Sequence, residues 1–469
     1  MLGKQLTLAG LLLMTTGLAF GQPTPGQLEQ TAEFDALSIE GCNRAMLFRV
    51  SALSVHDQLD GKTPPSGHRW LALDLSVANH MPADLLFDLD YEEAVLIASL
   101  VRQMFLLVNG ETVYRSVPEL TTLEDNFILP RIGASRSGRV VYPIPESELN
   151  SLSLRYYHDQ YSPAVLALAG RESLQTTLPG PVAQSIQAND VLSLAVRDSQ
   201  QVDTWQGQNP PQGMQWLVVD VAGISHWTLQ ADALALDRDA EVKAKVQLAK
   251  AMEYVEARGL LQAVVDGRHG YIREQALGTL PQDPVLLPEA WAGGKAVFPV
   301  PRDASRIELV AHYPEFRGQG IDDGIPPTGR FVLLEGDTPP APETRLSIAD
   351  RPTPFSLHSA TLVEQFGQHQ ASRGERLLLV QASMQNSSDT GGMMNISSRL
   401  SLKGNNGQSL ELLGAYQRGP VKLQEPFWLP AGGEPRAFSL VYRAPQDIDQ
   451  VSLEYRGVSV NTEETVQLQ

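Results

Sequence analysis

The chain has 469 residues, enough for two to four domains with separate cores. Its formal net charge of −18 at pH 7 repels phosphate backbones and anionic lipid, which argues against nucleic acid as a partner. The one cysteine, Cys42, excludes an intrachain disulfide and thiolate zinc sites, so stability must come from apolar cores.

Residues 1–21 read as a secretory signal peptide: Lys4 precedes an apolar stretch over 6–20, and Ala19-Phe20-Gly21 offers small residues for a signal peptidase, with cleavage before Gln22. The apolar run is shorter than the ~20 residues of a spanning helix. A mature chain without a transmembrane segment is expected, periplasmic or extracellular. Residues 22–33 form a Pro- and Gly-containing flexible lead-in. A free Cys42 is expected to be a buried spectator.

The first repeat, 34–180, opens with a β-branched strand over 46–55. A turn follows, Thr63-Pro64-Pro65-Ser66-Gly67-His68-Arg69-Trp70, and then an alternating strand. Leu71, Leu73, Leu75 and Val77 share one face of that strand, and Asp74 and Ser76 share the other. Residues 92–104 predict a helix that is apolar all round, from Ala94 to Val101, and therefore covered. Leu129-Pro130, Gly138-Arg139-Val140-Val141-Tyr142-Pro143-Ile144-Pro145 and a last strand through Leu152, Leu154 and Tyr156 complete the repeat. Proline cannot donate to a ladder, so Pro143 should close its strand or lie at an edge.

The second repeat, 181–336, restates the phrase as Asn209-Pro210-Pro211-Gln212-Gly213-Met214-Gln215-Trp216, followed by Leu217, Val219 and Val221. Leu287-Pro288 and Gly294-Lys295-Ala296-Val297-Phe298-Pro299-Val300-Pro301 match the second landmark. Between them, Val242, Val246, Ala249, Met252 and Val255 fall at steps of three and four and predict a helical insert over 239–258. A Pro-rich linker, 337–344, is stiff and predicts a semi-independent joint. The third repeat, 345–469, keeps Gly374, sets Leu377 where the Trp stood, and alternates through Leu378, Val380, Ala382 and Met384. Asn405-Asn406-Gly407 predicts a hairpin joining 399–403 to 409–412.

No nucleophile elbow, phosphate loop or His-Glu-x-x-His pair is present, and no catalytic residue, metal ligand or cofactor is expected. Asp88, Asp90, Glu92 and Glu93 could offer oxygen ligands, but they lack the Gly and distal Glu of a calcium loop. Asp74 with His80, and Asp220 with His226, recur in matched places, which points to a structural duty. Trp70 and Trp216, at the entry to apolar strands, read as core plugs. Trp291 and Trp428, near the Leu-Pro landmarks, are the candidate ligand contacts.

The order of strand, Gly-x-x-Trp/Leu, alternating strand ending at Asn79 or Asn386, Leu-Pro, Gly-x-Val-x-Tyr/Phe-Pro-x-Pro and final strand resembles the bacterial exported telokin-like immunoglobulin-like domains. The middle copy departs from it, with Ser225 at the Asn position. The short strands and Pro/Gly turns read as a mostly β protein of three tandem immunoglobulin-like antiparallel β-sandwiches, the first two with a helical insertion, and the long insert of the middle copy is a second departure from the resemblance. The resemblance implies a non-enzymatic scaffold or protein-binding role toward an unidentified protein or envelope component. A carbohydrate-binding accessory protein is the alternative, and a hydrolytic enzyme with a site at a repeat junction the second.

Overall fold

A computed structural model describes residues 39–43, 45–80, 96–99, 103–129, 132–147, 149–157, 163–170, 185–188, 192–225, 261–281, 286–287, 290–312, 328–388, 392–423, 425–429 and 433–468. Their regular structure is antiparallel sheet, plus one 3-10 turn at Gln275–Leu277. The signal peptide 1–21, the lead-in 22–33, the helical insert 239–258, the carboxylates 88–93 and His226 lie outside the described residues. No helix among the described residues is long and apolar enough to cross a membrane.

Six large sheets pack as three pairs. In the first pair, Ile39–Cys42, Met46–His56, His68–Asn79 and Ser135–Pro145 form one sheet, in that order. It faces a sheet of Ala164–Ala169, Leu152–Tyr156, Met104–Val108 and Thr112–Arg115 across one apolar core. The second pair sets Ser185–Ala188, Leu192–Val202, Met214–Ser225 and Ala292–Pro301 against His269–Ile272, Leu261–Val265, Ile307–His312 and Thr328–Leu334. The third sets Leu346–Ile348, Phe355–Val363, Glu375–Met384, Arg436–Pro445 and Glu411–Tyr416 against Leu400–Gly404, Gln450–Arg456 and Asn461–Gln467.

The landmark strands lie in matching registers. Trp70 stands between His56 and Pro143, Trp216 between Val202 and Pro299, and Leu377 between Val363 and Arg443. Each strand is launched by the same turn. The amides of His68, Met214 and Glu375 donate to the carbonyls of Pro65, Pro211 and Ser372, each at 3.0 Å. The third turn residue, Gly67, Gly213 or Gly374, holds φ of 72°, 79° or 84°, the left-handed region that favours glycine. The expected alternation is present: Leu71, Leu73, Leu75 and Val77 are at most 1% exposed.

Both tryptophans are plugs outside the main cores. Trp70 packs on Ala72, Leu120 and Val141, and Trp216 on Val218 and Val297; Leu377 packs on Tyr416 and Val441. Trp70 Nε1 donates to the Lys62 carbonyl and Trp216 Nε1 to that of Gln208, both at 3.0 Å. A β-bulge interrupts each preceding strand at one register position, placing Ser51, Arg197 and His358 as the extra residue.

The proline expectation holds, with a consequence. Ser135–Pro145 and Ala292–Pro301 are sheet edges, whereas Arg436–Pro445 gains Glu411–Tyr416 on its outer side. Arg443 occupies the register position of Pro143 and Pro299 and lies opposite Glu411. Only the third strand keeps an outward amide there, and it accepts a fifth strand over Ser439–Arg443.

Two expectations need correction. Residues 92–104 are not one helix: Leu96–Ser99 is a strand paired with Asn126–Leu129, and Met104–Val108 is a buried strand. A run without a polar face has no period to separate helix from strand, and its β-branched members pair well. The Asn405-Asn406-Gly407 turn forms, with the Gly407 amide on the Gly404 carbonyl at 2.9 Å. The hairpin closes as expected, with Lys403 opposite Ser409 and the Leu410 amide on the Leu402 carbonyl at 2.8 Å, and the chain then continues into the opposite sheet as Glu411–Tyr416. Cys42 is exposed, because it takes the outward phase of the edge strand Ile39–Cys42. At the linker, the Arg268 guanidinium donates to the carbonyls of Pro339 and Pro340.

Candidate functional site

The sheet pairs meet through one recurring contact. In the first pair, the hairpin joining Met104–Val108 to Thr112–Arg115 turns at Asn109 and Gly110, with φ of 54° and 73°. Its Glu111 carbonyl accepts the Gly293 amide of the second pair at 2.8 Å, and Thr112 Oγ1 donates to the Gly293 carbonyl at 3.2 Å. In the second pair, the hairpin joining Leu261–Val265 to His269–Ile272 turns at Asp266 and Gly267, with φ of 50° and 69°. Its Arg268 carbonyl accepts the Ala437 amide of the third pair at 3.0 Å. Gly293 and Ala437 hold equivalent places in their strands, opposite Ala222 and Ser383. The bulge residue Arg197 adds an ion pair at the first junction, joining Asp220 at 2.6 Å and Glu111 at 3.3 Å. Asp220 thus meets an arginine. Asp74 and His80 lie on the surface.

The junctions are filled differently, and the difference makes the second a candidate site. At the first, Phe105, Leu107, Val113 and Tyr157 bury against Leu287 and Ala292 as an apolar cluster, with the Arg115 guanidinium over the Phe105 ring and Arg155 donating to Tyr157 Oη. Burial at roughly 1.5 to 3 kcal/mol for each large side chain makes this contact firm. At the second, the register places Gln262 where Phe105 stood, Gly270 where Val113 stood, and Arg436 where Ala292 stood. The result is a cavity of about 150 Å³ between the sheet pairs. Apolar walls come from Ile272, Leu423, Phe427 and Phe438, and Lys422 stands exposed at the lining.

Polar groups in this cavity are buried and incompletely bonded. Arg436 is 3% exposed and Gln262 is 3% exposed. Arg436 Nε and Nη2 and Gln262 Oε1 have no hydrogen-bond partner. Arg436 Nη1 reaches the Pro435 carbonyl at 3.4 Å and Glu434 at 3.5 Å. Glu434 is engaged chiefly elsewhere, by Arg330, which also binds Glu308 at 3.0 Å. Burial holds the Arg436 guanidinium down at about 10, against the pull of Glu434 and with repulsion from Arg330. A buried cation with idle donors is costly unless something pairs with it.

Around the cavity the junction is braced. Gln417 Nε2 donates to the Gly270 carbonyl at 2.7 Å, and Tyr271 Oη donates to the Arg418 carbonyl at 2.9 Å. Arg418 bridges Asp266 at 2.7 Å and Asp303 at 2.6 Å. His269 lies beside this cluster. Burial, then Arg418 and Arg268, pushes its pKa down to about 4, partly offset by Asp266 and the Ala437 carbonyl.

The aromatic candidate Trp291 does not line this cavity. Trp291 is partly buried beside Ala292 at the first junction. Trp428 lies in Phe427–Leu429, opposite Met393, and its side chain falls outside the described residues. Among the described residues, no group of three or more His, Cys, Asp or Glu side chains is arranged to hold a metal. Sequence reading missed Arg436, although its signal was present. It shares the inward phase of its strand with Phe438, Leu440 and Tyr442, where an arginine breaks the apolar period.

The third sheet pair ends without such a face. Ser401, Lys403 and Ser409 occupy the register of Phe105, Leu107 and Val113. There, Ser401 and Lys403 bond Glu454 instead of a neighbouring sheet.

No protein-family model matches the chain, and no curated protein matches it.

Proposed function

We propose that the chain is an exported, non-enzymatic scaffold or protein-binding protein of a bacterial envelope. In this reading it comprises three tandem immunoglobulin-like sandwiches of the telokin-like kind, held in fixed orientation. The observation that carries the proposal is the repeated junction, with Glu111 accepting from Gly293 and Arg268 accepting from Ala437 at equivalent places. A main-chain bond of this type fixes one sheet edge against the next hairpin. Apolar packing at the first junction and the Arg418 network at the second resist bending. The apolar leader over 6–20 supports export. A rigid series of sandwiches suits a protein that spaces or presents partners.

Small-angle scattering of the chain from Gln22 onward tests this arrangement. The expected profile is that of one particle with fixed dimensions; independently moving parts would overturn it. Affinity capture from native envelopes should retain a protein partner. Retention of glycans alone on an array would instead favour the carbohydrate-binding reading.

A further inference from the structure

We propose that the cavity between the second and third sheet pairs binds a small organic carboxylate through a side-on bidentate contact with Arg436. The chemistry follows from which donors are idle. Nε–H and Nη2–H project from the same edge of a guanidinium, at the spacing of the two oxygens of one carboxylate. On Arg436 these two nitrogens are the unpartnered ones, while Nη1 is directed to Pro435 and Glu434. The residue is 97% withdrawn from solvent. A carboxylate there would meet a cation freed from water competition, and its negative charge would neutralise a group that burial penalises.

The rest of the lining limits the ligand. Gln262 Oε1, also unpartnered, asks for a donor such as a hydroxyl or amino hydrogen close to the carboxylate. Phe427, Phe438 and Ile272 accept an apolar body. A cavity of about 150 Å³ admits a molecule no larger than a short-chain acid or the end of an acidic side chain. Of the two charged residues beside Arg436 at the lining, Lys422 is offset by Glu425, whose carboxylate accepts the Ile396 and Ser397 amides at 2.6 and 2.9 Å, so Arg436 supplies the attraction for an anion. Gly270 keeps the space open: a Cβ there would stand 2.8 Å from Gln262 Oε1 and 3.4 Å from Arg436 Nε. The apolar first junction shows that this fold can pack the same positions with Phe105, Val113 and Ala292. The polar replacements at the second therefore answer a different requirement.

The proposal rests on the second junction being docked, as the scaffold reading requires, so the test reads docking separately. Calorimetric titration of the chain from Gln22 onward uses butyrate and lactate against butyramide and lactamide as neutral isosteres. N-acetylglutamate α-amide and N-acetylglutamine amide serve as the protein-borne counterparts. Saturable 1:1 binding of the acids, at least about tenfold tighter than their amides, is expected. Tighter binding of butyrate or lactate indicates a free metabolite, and tighter binding of the glutamyl probe indicates an acidic partner residue. Arg436→Met should abolish binding. Gly270→Ala should weaken it while keeping the cation, which covers the case in which Arg436→Met does not fold. Equal affinity for acids and amides, or acid binding unchanged in Gly270→Ala and in folded Arg436→Met, would overturn the proposal. A compact particle that binds no acid overturns this inference alone. An extended, jointed particle in scattering overturns it together with the scaffold reading.

Discussion

Gly457 passes so close to Asp350 that a Cβ on residue 457 would stand 2.3 Å from the carboxyl carbon. That proximity lets one fully buried carboxylate tie down a whole turn. Asp350 accepts the Ser459 amide at 2.7 Å, the Val458 amide at 3.0 Å, and the hydroxyls of Ser459, Thr353 and Tyr455 at 3.0 to 3.1 Å. Burial alone would raise its pKa, but these donors outweigh it and hold the group at about 2. Asp350→Asn should cost about 3 kcal/mol in denaturant unfolding. The carboxylate's pKa is lower folded than unfolded. Its contribution, about 2 kcal/mol, is therefore complete above pH 3.8 and fades as pH falls toward 2. An unchanged acid limb in Asp350→Asn would contradict this. Gly457→Ala should destabilise for want of room, with urea midpoints as the measure.

His269 sets a second acid window of the same sign, at higher pH. Its folded pKa is about 4 against an ordinary 6.5, so below 6.5 the unfolded chain binds a proton that the folded chain refuses. Stability should be unaffected by this group above pH 6.5, fall from 6.5 to about 4, and level off below, by up to about 3 kcal/mol. His269→Gln should flatten that slope while the Asp350 limb persists. Unfolding curves taken at half-unit pH steps separate the two.

Position 443 offers a test of the edge argument. Arg443→Pro removes the outward amide opposite Glu411 and should cost about 3 kcal/mol, with loss of the Glu411–Tyr416 strand. Pro299→Ala, at the equivalent edge position, should change stability by less than about 1 kcal/mol. Amide exchange at Leu412 and Tyr416 reports the strand directly.

Much of this was readable from spacing. The Pro/Gly turn, the Trp and the following alternation specified a strand with one buried face, and Leu71 through Val77 obey it. Residues 92–104 misled because an apolar run long enough for a helix breaks into two short strands whose partners, Asn126–Leu129 and Leu152–Tyr156, lie far along the chain. The junctions were illegible for a related reason. Gln262, Gly270 and Arg436 acquire meaning only when compared with Phe105, Val113 and Ala292 in register, and no local pattern aligns hairpins with strands so distant.

Coupling across the first junction is measurable at Arg197. A double-mutant cycle of Arg197→Met and Glu111→Gln should give an interaction of about 1 kcal/mol, modest because Glu111 is 41% exposed. A value near zero would leave the junction to Gly293 and the apolar cluster alone.

The hydrophilic face of Ser401, Lys403 and Ser409 acts as a terminus to growth. A stack whose every layer offered a greasy underside would recruit copy after copy, because head-to-tail contacts need not close on themselves. Here the last layer offers hydroxyls and a charge already satisfied by Glu454, so nothing rewards a newcomer. Greasing that face, as in Ser401→Phe with Lys403→Leu, should turn discrete molecules into fibres.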